Sequence, residues 1–507
     1  MSIENSSDEN IATDIPKDSL TGLEDEILQK KPKGSIKLVY TIIAISLFFA
    51  AFNLTIFYKT FLLIRLLCSP AIFSCTSDPS QTGIANTSYL IMIVTSTIAF
   101  MFALVVGGAI SDDIRSRFGN RVPMILFGAI IAGLGYVVLP IILVGNNIIY
   151  IMVVGNIIYI IINIGLGFAL APDYALISEL FIKEERGWVG LGFAGIGLGG
   201  TLIGYGLQEV SNINTYSAWV TTGLLSGIII IFLGLMTFIL TPKYNPPFPA
   251  DGTIKDIVAT PRYLFEMGSG NSANRDFLFM FIIGILWGGG GFIIDTDFSI
   301  LLNTLLLDKS FNLTVDPANL LLMIGISGAL FAGPVGIVIA KLGKVRSGMI
   351  GSIMMGFFTF MISQSFMWSD TPIIAISLVL AVGTIFITAV NVSLPADLVP
   401  RGKEGQFMGL FIIAANLLAP IVGLIAAGVL AINQENTLNG FSTIFILTTL
   451  IYFAAVFILA FMHYEEQLEG EYQLYYRRYL LFKGYVTDKT KFAALKVSSS
   501  LRFKKSR

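Results

Sequence analysis

A short charged segment, residues 107–121, interrupts an otherwise strongly apolar part of the chain. Its residues that can pair charges or let two helices approach are Gly108, Asp112, Arg115, Arg117, Gly119 and Arg121. Gly108 and Asp112 are four residues apart, so they share one face of a helix. The Asp112 carboxylate is therefore predicted to accept hydrogen bonds from the N-terminus of another helix, near Gly405, and to pair with Arg115 or Arg121. The alternative is a topological role alone, in which the basic residues hold this loop on one side of a membrane.

A second set of residues lies deep in an apolar stretch, where acidic side chains are costly and usually functional. Asp295 and Asp297 follow four consecutive glycines, residues 288–291, which weaken a helix and predict a break. Asp295 is predicted to bind a proton or a solute, and Asn53 lies at the matching depth near the start of the chain. Lys59 is a candidate partner for either carboxylate at an outer gate. The alternatives are hydrated aspartates with no further role and a lysine that reaches the membrane interface.

Several uncharged side chains lie in similarly apolar surroundings. The candidates for contacting a polyhydroxylated solute are Asn163, Asn391 and Asn416, and Trp287 has a ring that could stack on a sugar. Hydrogen bonds between helices explain the asparagines equally well, and packing explains the tryptophan. One histidine and two cysteines exclude a histidine/cysteine metal site, and the sequence has no phosphate-binding loop, so no cofactor is expected.

Twelve apolar stretches must position these residues. Of the 507 residues, 55% are apolar and 13% are charged, and the mean hydropathy is +0.79. A hydrocarbon core of about 30 Å needs roughly 20 apolar residues per helix, whereas a membrane strand is shorter and alternates. An all-α membrane protein is therefore predicted. Its spans are 36–66, 88–110, 122–144, 148–171, 187–207, 217–241, 277–307, 317–341, 346–367, 372–395, 405–432 and 440–463.

The basic residues predict how the chain is oriented. Only Lys59, Arg65 and Lys309 of the 32 Lys and Arg residues fall at or beyond the outer ends of the predicted spans. By the positive-inside rule, both termini are cytoplasmic in a multi-pass protein of the cell membrane. The two cysteines, Cys68 and Cys75, fall in the first outside loop, where a disulfide bridge would persist; two unrelated small residues are the alternative. The charges are segregated, and nothing in their distribution indicates a nucleic-acid partner.

The chain is predicted to divide into two six-helix halves. A proline-rich cytoplasmic linker, 242–276, separates a first bundle, 36–241, from a second, 277–463. An acidic N-terminal tail, 1–35, predicted to be disordered, and a basic C-terminal tail, 464–507, flank the bundles. Residues 179–187 and 397–405 share one pattern: an acidic residue, leucine, two apolar residues, a basic residue, three more residues and a glycine. Parallel halves of this kind are typical of transporters that rock around a site near the midplane.

The charged segment resembles the signature that follows helix 2 in the major facilitator superfamily. The fuller string SDDIRSRFGNRVP, residues 111–123, resembles a loop of the glycoside–pentoside–hexuronide:cation symporters and the sucrose:proton symporters, as does APDYALISEL, residues 171–180. The resemblance spans all twelve helices. It implies a two-bundle fold, in which helices 1 and 7 line a central cavity and a charged inner gate latches the outward-facing state. Further members of that gate are Glu179, Arg186, Asp397 and Arg401.

The sequence departs from that pattern in two places. The corresponding segment of the second half has Ala340 where an acidic residue is expected. The second span has no acidic residue between Ser88 and Ile110, which argues against the sodium site of sodium-coupled relatives. We predict a monomeric, proton-coupled symporter of a small polar solute, a sugar or glycoside, and not an enzyme. An exporter of amphipathic compounds or lipids and a receptor or scaffold that does not transport are the alternatives.

Overall fold

The computed structural model describes residues 35–67, 79–143, 148–181, 183–211, 216–243, 272–298, 301–302, 305, 317–364, 368–399, 404–432 and 437–462. Within these ranges, 12 helices are long and apolar enough to cross a membrane. Contacts divide the chain into a central unit, Val39–Glu466, and a second unit, Met1–Leu38 with Gln467–Arg507, most of which lies outside the described residues. The sites considered below all belong to the central unit.

The helices are α1 (Ser35–Leu67), α2 (Pro79–Asp113), α3 (Val122–Leu143), α4 (Ile148–Leu180), α5 (Lys183–Ser211), α6 (Tyr216–Leu240), α7 (Ser272–Ile293), α8 (Pro317–Leu342), α9 (Lys344–Ile362), α10 (Asp370–Leu398), α11 (Glu404–Leu417), α12 (Ala419–Ile432) and α13 (Thr437–Ala460). A π-helical segment, Ile294–Phe298, continues α7, and α11 and α12 adjoin at Leu418 to make one crossing. The prediction of twelve helical spans is confirmed. We call the end of the bundle where α2 ends and α3 begins the inner end; it is the end predicted to be cytoplasmic.

Large apolar side chains cover the outside of the helices. Phe102, Leu330 and Phe457 are examples, with 69%, 74% and 67% of their surface exposed. Such a surface would be unfavourable in water, whereas lipid tails are as apolar as these side chains. The exposed apolar surface is therefore the one that faces the bilayer.

Several helices extend beyond the predicted spans, which corrects their boundaries. α2 begins at Pro79 and ends at Asp113 instead of covering only 88–110, and α4 continues to Leu180 instead of ending at 171. α7 begins at Ser272, inside the segment predicted to be linker. Hydropathy marks the apolar part of a helix, whereas its hydrogen bonds continue into the polar layer beyond it.

The glycine run at residues 288–291 does not break α7, in contrast to the prediction. The α-helix continues through the glycines to Ile293 and only then becomes π-helical. A Cβ at Gly288 would overlap the backbone of Ala415 in α11, and one at Gly290 would lie 2.8 Å from the ring of Tyr452 in α13. The glycines therefore allow α7 to approach two neighbouring helices, and that packing keeps the segment helical.

The two halves repeat one arrangement. In the first half, α4 packs against α2 and α3, and α3 packs against α6; in the second, α10 packs against α8 and α9, and α9 packs against α13. The most extensive contacts between the halves are those of α2 with α11, α5 with α8 and α5 with α10, and α4 also contacts α11. Of the polar residues singled out in the sequence, these helices carry Asp112, Arg186, Asn391, Asp397 and Asn416, as well as Asn163 and Glu179 on α4.

Candidate functional site: a central cavity above two charged clusters

A cavity of about 280 Å³ lies between the two halves. This volume is close to the lower end of the range of small-molecule pockets, about 300–1,000 Å³. α1 and α5 line it from the first half, and α7 to α11 and α13 line it from the second. Its aromatic wall consists of Phe49, Trp287, Phe298 and Tyr452, and its uncharged polar residues are Asn53, Thr201, Thr384, Thr388 and Asn391.

Three of the predicted solute-binding residues line this cavity, and each is held differently. Asn53 Nδ2 donates to the carbonyl oxygen of Phe49, 2.9 Å away, which leaves its amide oxygen for another group. Trp287 Nε1 donates to Ser352 Oγ at 2.8 Å, so the indole is fixed in orientation. Asn391 Oδ1 is buried and accepts no hydrogen bond from any described residue. An unpaired buried acceptor is costly, and a solute hydroxyl would satisfy it.

The other predicted residues of this set do not line the cavity or have side chains outside the described residues. Asn163 Nδ2 donates to the carbonyl oxygen of Tyr159, and Asn416 Nδ2 donates to that of Ile412, so both amides bond within their own helices. Asp297 is buried in the π-helical segment, where it has an interaction partner. The side chains of Asp295 and Lys59 lie outside the described residues, and their roles stay predictions.

Three close contacts between the halves lie on the inner side of the cavity. A Cβ at Gly108 in α2 would overlap the carbonyl oxygen of Gly405 in α11, and one at Gly409 would lie 2.6 Å from the carbonyl oxygen of Leu104. A Cβ at Gly190 in α5 would overlap the backbone of α10 in the same way. At these contacts the backbones leave no space for water, so the described parts of the two halves are closed against each other on this side of the cavity.

The first charged group at the inner end, the Arg121 cluster, contains Arg121, Asp112, Glu179 and Glu404. Arg121 Nη2 lies 2.5 Å from Asp112 Oδ1, 2.6 Å from Glu179 Oε1 and 3.8 Å from Glu404 Oε2. Its Nε donates to Glu179 Oε1 at 2.9 Å, and its Nη1 donates to Ser111 Oγ at 2.7 Å. Only 1% of the Arg121 side chain is exposed, so the guanidinium depends on these partners for its charge.

The electrostatics of this cluster favour the charged arginine. Burial alone would lower the pKa of Arg121, but the carboxylates of Asp112, Glu179 and Glu404 outweigh it and raise the pKa above its usual value. The carboxylates therefore favour the protonated guanidinium.

Asp112 also joins the Arg121 cluster to α11. Its Oδ1 accepts the backbone N–H of Gly405 and its Oδ2 accepts that of Gln406, both at 3.1 Å. A carboxylate at a helix N-terminus satisfies free N–H groups and the helix dipole together. This is the contact expected from the spacing of Gly108 and Asp112, and of the two arginines proposed to pair with Asp112 it is Arg121 that does so.

The second charged group, the Asp397 cluster, contains Asp397, Arg186 and Lys344. Arg186 Nη1 donates to Asp397 Oδ1 at 2.9 Å, and Lys344 Nζ donates to Asp397 Oδ2. Arg186 also donates to the carbonyl oxygens of Ser178, Phe181 and Ala396, at the inner ends of α4 and α10. A single arginine of the first half thereby binds helix C-termini in both halves.

Lys344 and Glu404 complete the clusters but were not singled out in the sequence. Lys344 opens α9 at the place where Arg121 precedes α3, so the repeat between the halves could have pointed to it. Arg115 and Arg117 are exposed. Arg401, Cys68 and Cys75 lie outside the described residues, and so does any disulfide between the cysteines. Among the described residues, no group of histidine, cysteine and acidic side chains could hold a metal ion.

Comparisons with known proteins identify the architecture. The Major Facilitator Superfamily model matches residues 287–474. The human organic anion transporter MFSD10 (TETRAN) is similar in structure, with a TM-score of 0.61 and 18% identity, over 83% of this chain and 98% of that one. A search of the curated proteins found no match.

Two sugar transporters are also similar in structure. The proton:xylose symporter XylE gives a TM-score of 0.59 at 16% identity, over 83% of this chain and 96% of that one. The fucose:proton symporter FucP of E. coli gives 0.59 at 12% identity, over 85% and 99%. At these identities the likeness establishes the fold: the chain is a multi-pass membrane protein with the twelve-helix, two-bundle major facilitator fold.

Proposed function

We propose that this protein is a secondary transporter that moves a small, neutral, polar solute, a sugar or glycoside, by alternating access. The observation that carries this proposal is the cavity that both halves line above a closed inner end. A site shared by two pseudo-repeats changes its exposure when one half rocks against the other. The gate predicted from the sequence would then be the Arg121 and Asp397 clusters, which connect the halves and must break for the inner end to open.

The lining of the cavity favours a neutral solute. Among the described residues that line it there is no lysine, arginine or histidine, which would be needed to pair with an organic anion. Aromatic faces beside amide and hydroxyl groups match the mixed surface of a sugar, whose C–H faces stack on rings while its hydroxyls form hydrogen bonds. In this proposal Asn391 binds a solute hydroxyl and Trp287 stacks on the ring.

Proton coupling is part of the proposal. Two proteins of similar fold are proton symporters of xylose and of fucose. The grouping with the glycoside–pentoside–hexuronide and sucrose symporters rests on the segments at 111–123 and 171–180. Monomeric action is proposed as well, because one chain contains both halves of the cavity.

Uptake into proteoliposomes tests the proposal. We expect an inward proton gradient to drive accumulation of one member of a labelled panel containing D-xylose, L-fucose, sucrose and an aryl glucoside, and a protonophore to abolish it. Asn391→Ala should raise KM about tenfold or more, because one hydrogen bond in a desolvated site is worth roughly 1–2 kcal/mol. Asn439→Ala, at an exposed asparagine of α13, is the matched control and should transport like the wild type.

Other outcomes would contradict the proposal in different ways. Efflux of an amphipathic dye with no sugar uptake would indicate an exporter. A sugar that raises the melting temperature but is never transported would indicate a receptor or scaffold.

A further inference from the structure

A buried carboxyl group in the first half belongs neither to the cavity nor to the charged clusters. Asp173 lies in α4, directly after Pro172, and its side chain is completely buried. Neither of its carboxylate oxygens has a hydrogen-bond partner among the described residues. An ionised carboxylate without a partner in such surroundings is far more costly than a protonated one. A residue this costly to the folded protein calls for a function.

The register of α4 against α3 places Asp173 near apolar residues. Ala169, one turn earlier on the same face of α4, packs against Gly128 of α3. One turn nearer the inner end of α3 lie Met124 and Ile125, both buried.

The charged groups of the neighbouring helices are engaged elsewhere. Asp112 of α2, Arg121 before α3 and Glu404 of α11 belong with Glu179 to the Arg121 cluster. Arg186 of α5 and Asp397 of α10 pair with each other. None of these charged side chains forms a hydrogen bond with the Asp173 carboxylate, whose two oxygens are buried among the described residues.

Asp173 lies between the cavity and the inner end. It precedes the end of α4 by seven residues, a distance of about 10 Å along the helix. Its neighbour Tyr174 contacts Phe49, a cavity-lining residue, with ring centroids 5.9 Å apart. In the other direction, Glu179 lies fewer than two helical turns away and is bound by Arg121. Opening of the Arg121 cluster would therefore bring water close to Asp173. On the other side, Phe49 lines the cavity and contacts the ring of Tyr174, so a solute in the cavity would lie one aromatic ring away from the neighbour of Asp173.

We propose that Asp173 is a proton-binding site of the transport cycle. With the inner end closed, it holds a proton that it received from the cavity side. When the two clusters separate, the O–H bond of the carboxyl group breaks, the proton passes to entering water and the carboxylate becomes hydrated. The site thus binds a proton more tightly when the inner end is closed, as an inward symporter requires. This inference rests on the proposed function for its role, but the bound proton itself is independent of any solute.

Infrared spectroscopy of the purified protein tests the bound proton directly. At neutral pH we expect the wild type to show the C=O stretching band of a protonated carboxyl group, with a shift in deuterium oxide. Asp173→Asn should lose that band. The matched control Asp370→Asn, at a half-buried position at the N-terminus of α10, should keep it, because this change leaves Asp173 in place. A band of unchanged intensity in Asp173→Asn would overturn the proposal.

Transport measurements then test the role of the proton. With the panel sugar that the wild type accumulates, Asp173→Asn should lose gradient-driven accumulation at least tenfold while exchange of labelled for unlabelled sugar continues. Accumulation equal to the wild type would overturn the coupling role. If Asp173→Asn fails to assemble, Asp173→Glu replaces it, and the carboxyl band should move in frequency; an unmoved band would contradict the assignment. A wild type that carries the band but moves no sugar would count against the proposed function, not against the site.

Discussion

The Arg121 and Asp397 clusters join the same two halves but have opposite compositions. In the first, one cation faces three carboxylates; in the second, one carboxylate faces two cations. The two central residues, Arg121 and Asp397, have opposite charges. In both clusters all the other charged residues share that one central partner. The central residue is therefore the vulnerable one in each cluster, whereas a peripheral residue has a substitute beside it.

The helix crossings beside the clusters differ as well. At the α2–α11 crossing, Gly108 meets the backbone of Gly405, and Asp112 caps α11. At the corresponding α5–α8 crossing, a Cβ at Gly336 would first meet side-chain atoms, the Cδ1 of Leu191 and the ring of Trp188, and not backbone. The second crossing can adjust to a small change, and the first cannot. The comparison teaches that a repeat of the fold need not repeat how tightly its helices pack at the inner end.

Removing the central cation should have the largest effect. Arg121→Met leaves three buried carboxylates without their partner, and breaking such a buried network costs about 3–5 kcal/mol. We expect a large fall in the midpoint of thermal unfolding in detergent and little assembled protein. Arg117→Met is the control, because Arg117 is exposed in the same loop. Equal unfolding midpoints for the two variants would show that the Arg121 cluster does not hold the halves together.

Adding one methyl group at a crossing should have the second-largest effect, and the effect should differ between the two crossings. Gly108→Ala forces α2 away from α11, whereas at Gly336→Ala the side chains of Leu191 and Trp188 move aside. Spin labels at Arg115→Cys and Lys341→Cys, with Cys68 and Cys75 replaced by serine, report the distance across the inner end. We expect Gly108→Ala to populate a longer distance and Gly336→Ala to leave the distribution nearly unchanged. The reverse order would contradict the contrast between the crossings.

Removing one of the two cations around Asp397 should have a moderate effect. Lys344→Met leaves Arg186 in place, so Asp397 keeps a charged partner. We expect a loss of about 1.5–3 kcal/mol, the range of one hydrogen bond to a charged group. Denaturant titration of purified protein measures it against Lys341→Met, an exposed lysine of α8. A loss as large as that of Arg121→Met would mean that Arg186 alone does not stabilise the buried Asp397.

Restoring the acidic residue that the second half lacks should have the smallest effect. Ala340 is exposed, and α5 already begins at Lys183, so the N–H groups at Gly187 and Trp188 lie inside the helix. Ala340→Asp therefore finds no free donors and should change the transport rate less than about twofold, within the few tenths of a kcal/mol of a surface charge near a helix end. Ala340→Asn is the neutral control. A slowing of tenfold or more in the aspartate variant alone would indicate a second cap.

The twelve spans and the contact of Asp112 with α11 could be predicted from the sequence, because both depend on local patterns. A span requires only length and apolarity, and Gly108 with Asp112 is a spacing within one helix. Glu404 and Lys344 reach their clusters from helices far along the chain, which spacing does not reveal. Asp173 was missed because the fourth span was predicted to end at 171; the helix continues to Leu180 and takes Asp173 into the interior. Likewise, the glycines at residues 288–291 predict a break in α7, because the sequence does not show that α11 and α13 pack against them.

The turns that precede Arg121 and Lys344 restrict how the two charged clusters could be rebuilt in another protein. Gly119 and Gly343 have φ angles of 99° and 83°, in the left-handed region that other residues enter only with strain. Gly119 is two residues before Arg121, and Gly343 directly precedes Lys344, so each turn sets the direction in which its cation leaves the backbone. If the arginine or the lysine alone were introduced into a related scaffold, the charge would be correct but the side chain would point in the wrong direction. The transferable part is the turn with its glycine, to which the cation belongs.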